Sequence, residues 1–95
     1  MADAKIKIQL LPEEQALLLR YGYPFESEKK QLHKLVARGD IGTMKISPFY
    51  LARMIGDLCH SIKETNGHIQ QQLIDLCDRL EYAERTGDGT LDILF

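Results

Sequence analysis

In KIKIQL, residues 5 to 10, Ile6, Ile8 and Leu10 alternate with Lys5, Lys7 and Gln9. This is the period of a strand with one buried face. Pro12 suits a first helical position, and Glu13 and Glu14 place negative charge where the helix dipole favours it, so a helix is expected over 12–21. Gly22 should end it, and Pro24 blocks its continuation. A second helix, 27–38, should start with Ser27 as its cap. Leu32, Leu35 and Val36 would line one side, and Glu28, Lys29, Lys30, Lys34 and Arg38 the others. Gly39 should stop it with a left-handed residue.

TMKI, residues 43–46, reads as extended, and Ser47-Pro48 is a strong start signal for a helix over 48–65. Its apolar stripe is Leu51, Met54, Ile55, Leu58, Cys59 and Ile62, with Arg53, Asp57, His60, Ser61 and Glu64 opposite. The pattern resumes over 68–86 with Ile69, Leu73, Leu76, Cys77, Leu80 and Ala83. Asp75 with Arg79, and Glu81 with Arg85, are expected i, i+4 pairs of about 0.2 to 0.5 kcal/mol each. A Gly-Asp-Gly turn then leads into TLDIL, a further short strand at 90–94. The expected fold is mainly α: one domain over 1–95, a small bundle of three to four helices with short peripheral β-strands.

The count of helices turns on Asn66-Gly67. The triplet Asp-Leu-Cys occurs at 57–59 and again at 75–77, eighteen residues on. In one continuous helix the two cysteines would lie roughly 27 Å apart, whereas in a hairpin they would meet at similar height. The hairpin is the expected form, because packing the two stripes together buries them without a partner. The continuous helix would need one.

Composition adds limits. The chain is 44% hydrophobic and 27% charged, the balance of a globular protein, and its apolar runs are too short for a membrane span. With no secretory signal in the opening residues and two cysteines too few for a disulfide framework, a cytoplasmic location with reduced, buried thiols is expected. The formal net charge of −2 divides unevenly. Residues 1–63 carry ten Lys/Arg against seven Asp/Glu, and residues 64–95 two against seven, so the halves could neutralise each other within the fold or across a dimer.

Chemistry is sparse. His33, His60 and His68 stand in no catalytic or zinc-binding spacing, GDIGT lacks the lysine of a phosphate loop, and Arg38-Gly39-Asp40 is explained by helix termination. No catalytic, metal or cofactor site is assigned. The row Asp75, Asp78, Glu81, Glu84 reads as a solvated face rather than a cation site. Apolar residues off the stripes are more informative: the aromatics at the helix joints, Tyr21, Tyr23, Phe25, Phe49 and Tyr50, are expected first to plug the ends of the core, and as the alternative they form, with Ile74, Tyr82 and Phe95, the candidate protein interface. The function they suggest is a non-enzymatic interaction or regulatory module, a homodimer or a binder of another protein, using the last two helices. A basic patch of Lys29, Lys30, Lys34 and Arg38 supports a less favoured alternative, a nucleic-acid-associated regulator. A third alternative is a small enzyme or metal protein using Cys59, His60, His68 or Cys77. Finally, TMKI and TLDI each follow an arginine and a Gly-Asp turn, and if the two runs pair as strands Lys45 would face Asp92.

Overall fold

A computed structural model describes residues 5–90. The order is β1 (Ile6–Leu10), α1 (Pro12–Tyr21), α2 (Glu26–Arg38), β2 (Gly42–Ile46), α3 (Pro48–Glu64) and α4 (Gly67–Thr86). The fold is mainly α, with four helices and an antiparallel pair of short strands.

The sheet sets Ile6 opposite Ile46, Ile8 opposite Met44 and Leu10 opposite Gly42. All six are buried, so the alternation legible in KIKIQL gives one apolar face that the helices cover. Leu18, Leu32, Leu51, Met54, Leu58, Leu73, Leu76 and Leu80 complete the core with it. Gly42 lets α2 pack closely, since a Cβ there would overlap the Leu35 side chain.

A two-stranded sheet has two open edges, and both are occupied. Beside β2, the Gln31 amide donates through Nε2 to the Lys45 carbonyl and accepts the Lys45 N–H at Oε1, each at 2.9 Å. Beside β1, the Gln9 N–H donates to the Gly89 carbonyl at 2.9 Å, and Arg79 Nη2 donates to the Gln9 carbonyl at 2.7 Å. Gly89 must be glycine for this approach: a Cβ would lie 2.5 Å from the Lys7 carbonyl oxygen and 2.7 Å from Ile8 Cα. The chain leaving α4 thus meets β1 on the side away from β2, in a parallel bridge at Ile8. TMKI pairs with KIKIQL, and the expected contact of Lys45 with Asp92 lies outside the described residues, as do positions 91–94 of the expected last strand.

Helix ends follow the local signals in part. Ser47 Oγ accepts the Tyr50 N–H at 3.3 Å, and Gly39 and Gly87 take left-handed φ values of 73° and 76° to close α2 and α4. Ser27, however, is not a cap: α2 begins one residue earlier, after Phe25, and the Ser27 hydroxyl donates to Glu28 Oε2 at 2.7 Å. Glu28, expected on the outer face, is buried with that bond as its support. At α1 the Glu14 carboxylate reaches back to the Leu11 N–H at 2.9 Å. Gln15 is fully buried, its Nε2 donating to the carbonyls of Leu10 and Asp40 and so tying the end of β1 to the turn before β2.

The chain bends at Asn66-Gly67, where Gly67 has φ 64°, and α3 and α4 form the hairpin. Carbonyls in the last turn of α3 are taken by Thr65 Oγ1, on Ser61 and Ile62, and by Gln70 Nε2, on Ile62. Five expected positions are corrected. Cys59 and Ile69 are exposed and Ile62 only half-buried, because they lie at the margins of their stripes. Val36 is likewise exposed at the rim of α2. Ser61, expected on the polar side, is buried because its hydroxyl donates to the Tyr21 carbonyl at 3.1 Å. Neither expected i, i+4 pair forms: Arg79 turns inward to Glu14, Asp75 accepts from Gln71 Nε2, and Arg85 lies over the Tyr82 ring.

Candidate functional site

Two features bring the end of α1 against α3. Gly22 fits against Met54 so closely that a Cβ would lie 3.1 Å from Met54 Cγ, and Ser61 holds the Tyr21 carbonyl. The short link Tyr23-Pro24-Phe25 then projects beside Ser47-Pro48-Phe49-Tyr50. Phe25 and Tyr50 stack with centroids 4.5 Å apart, and Phe49 meets Tyr50 edge-on at 5.6 Å. Arg53 lies over Phe25 at 5.7 Å, and Arg20 over Tyr21 at 5.5 Å.

This aromatic corner faces outward. Tyr23 is 66% and Phe49 64% exposed, with Phe25 and Tyr50 at 40% and 36%. Such exposure decides between two uses of these rings: they do not plug the end of the core, although Tyr21, half-buried, packs against it. Tyr23 also has a φ of 47°, left-handed for a residue with a side chain and before a proline, where extended backbone is the norm. Its ring offers little burial in return. Tyr23→Gly is accordingly expected to raise the unfolding free energy by about 0.5 kcal/mol, relief of roughly 1 to 2 kcal/mol of left-handed strain being partly offset by glycine's entropy when unfolded. Chemical denaturation reads this, and a loss of 1 kcal/mol or more would contradict it.

The other candidate interface residues lie elsewhere. Tyr82 is 51% exposed on α4 and Ile74 is half-buried there, while Phe95 is outside the described residues. Tyr82 borders a shallow hollow of about 270 Å³ lined also by Asp78, Arg79, Asp88, Gly89 and Thr90. The Thr90 N–H donates to Asp88 Oδ1 at 3.0 Å, and this bond lowers the Asp88 carboxyl below its usual range. Lys29, Lys30, Lys34 and Arg38 are all exposed along α2. The ion pairs among the described residues are Arg79 with Glu14 and His60 with Glu64, so these four cations join neither.

Tyr23, Phe25, Phe49 and Tyr50 stand out in the sequence as apolar residues off the stripes, but the cation beside them does not, because nothing in the chain order signals that Arg53, one turn into α3, lies over Phe25 across the corner. The hairpin expected from the sequence brings the two thiols to similar height, as found, but both were expected to be buried. Cys59 Sγ and Cys77 Sγ are 3.6 Å apart across the hairpin, Cys59 open to solvent and Cys77 buried. Burial, the bond to Cys59, and the charges of Cys59, Glu81 and Asp78 push the Cys77 thiol up to about 12. At neutral pH iodoacetamide should therefore alkylate Cys59 at least about tenfold faster than Cys77, read by peptide mass spectrometry, and equal rates would contradict this placement.

No group of three or more His, Cys, Asp or Glu among the described residues is placed to hold a metal ion. No helix among them is long and apolar enough to cross a membrane. Comparison with protein-family models, curated proteins and solved structures finds no match.

Proposed function

We propose that the chain is a cytoplasmic, non-enzymatic interaction module that pairs with a second copy of itself, the aromatic corner of each copy lying on the acidic face of the other's α4. The observation that carries the reading is the corner itself: four outward rings, of which Phe25, Tyr50 and Phe49 contact one another and Phe25 carries Arg53, with Tyr23 held in a backbone conformation that its own packing does not compensate.

Charge supports a second copy as the occupant. Arg53 lies over Phe25, Arg20 over the adjoining Tyr21, and exposed Lys29 and Lys30 follow Phe25 in the first turns of α2, while exposed Asp75, Asp78, Glu81 and Glu84 run along α4 past exposed Tyr82. The described ion pairs do not join these two sets, which leaves both available to the opposite charge of a second copy. A two-fold axis would use both contacts twice and close the assembly.

Sedimentation equilibrium at tens of micromolar should show a dimer. Phe49→Glu, at a 64% exposed position where the fold loses little, should weaken it by at least about tenfold, as loss of an aromatic anchor does. A strict monomer over this range would overturn the reading. Retention of that monomer on heparin with steep salt dependence would instead favour a nucleic-acid role for Lys29, Lys30, Lys34 and Arg38.

A further inference from the structure

We propose that Cys59 and Cys77 form a reversible redox pair, in which exposed Cys59 reacts with a small-molecule disulfide and buried Cys77 resolves the adduct into an intrachain bond across α3 and α4. Three observations place the pair. The thiols are 3.6 Å apart, so rotation of the two side chains needs to close only about 1.5 Å to reach disulfide length. They sit on two different helices of a hairpin whose bend at Gly67 is built into the backbone, so they are held together without a bond between them. Their accessibility is unequal, and this orders the chemistry: a reagent from solvent meets exposed Cys59 first, while buried Cys77 faces Cys59 and the Glu81 carboxylate.

The steps balance. The Cys59 sulfur attacks one sulfur of R–S–S–R, a mixed disulfide forms, and R–SH departs with the proton from Cys59. The Cys77 sulfur then attacks the Cys59 sulfur, the Cys59–S–R bond breaks, the Cys59–Cys77 bond forms, and the second R–SH takes the proton from Cys77. The protein loses two electrons and two protons, and the small disulfide gains them. Excess thiol reverses both steps, so in a reducing compartment the bond is transient, as regulatory disulfides are.

The consequence is mechanical. The bond would fasten the hairpin between its two copies of Asp-Leu-Cys and leave the aromatic corner untouched, so the proposal is independent of the pairing proposed above.

Full-length protein incubated with glutathione disulfide tests it by intact mass and thiol count. The expected product is a single chain lighter by about 2 Da with both thiols consumed, preceded by a glutathione adduct at Cys59. Its thermal midpoint should rise by roughly 10 °C or more, since the closed loop restricts the unfolded chain. Cys77→Ala should stop at the adduct and Cys59→Ala should form none. The wild-type mass does not depend on either variant folding. An adduct that persists on Cys59 while Cys77 stays reduced, or covalent dimers in place of the intrachain bond, would overturn the proposal.

Discussion

Leu58→Ala is expected to lower the free energy of unfolding by about 3 kcal/mol. Leu58 is fully buried in the face of α3 that meets the core, and Leu76, its counterpart in the second Asp-Leu-Cys, is buried in α4. Removing three methyl and methine carbons from such a site forfeits their transfer energy and leaves a cavity that two packed helices cannot readily close, typically about 2 to 5 kcal/mol. A domain of this size has roughly 5 to 10 kcal/mol in all, so the variant should unfold at markedly lower urea with little change in slope. Ile69→Ala, at an exposed position on α4, is the control and should cost less than about 1 kcal/mol. Equal losses for the two would show that the hairpin does not pack as described.

Arg79→Met is expected to cost about 2 to 3 kcal/mol for a different reason. The guanidinium grips Glu14 through both Nε, at 3.0 Å from Oε2, and Nη2 on Oε1, and the same Nη2 holds the Gln9 carbonyl. Its side chain is 28% exposed and that of Glu14 14%, so the pair is largely removed from water. Methionine would fill much of the space but leave the largely buried Glu14 carboxylate without its cation, with the Leu11 N–H as its remaining described bond. Loss of one partner of a fully buried pair costs about 3 to 5 kcal/mol, and the residual exposure discounts it. Glu14→Gln leaves Arg79 its bond to Gln9 and should cost less. A double-mutant cycle measured by urea unfolding checks the sign, and an Arg79→Met loss below about 1 kcal/mol would remove this contact from the account.

These two residues also mark what was readable in the chain. Leu58 belongs to a stripe with a 3.6-residue period, and such a period survives folding because one helix face must leave water wherever the helix goes. The same holds for Ile6, Ile8 and Leu10. Arg79 could be read only against its own helix, where Asp75 is the natural partner four residues back; its actual partners lie 65 and 70 residues away along the chain. Gln15 was unreadable for the same reason, being a polar position buried by bonds to Leu10 and Asp40 that local pattern does not encode. At the aromatic corner the identity of the rings was legible, because they fit no stripe, but their common patch depends on where Gly22 and Ser61 set the end of α1.

The two capped edges of the sheet impose an order in time. β1 precedes everything it bonds to: β2 follows it by some 36 residues, Arg79 by 70 from Gln9, and Gly89 by 80. During synthesis KIKIQL therefore leaves the ribosome with its main-chain groups unanswered, while the α3–α4 hairpin, whose contacts are near in sequence, is free to form as soon as it emerges. The strand that precedes its described partners is among the last to be secured. Until Gly89 arrives, β1 is the segment of the nascent chain most open to capture by another strand or by a chaperone.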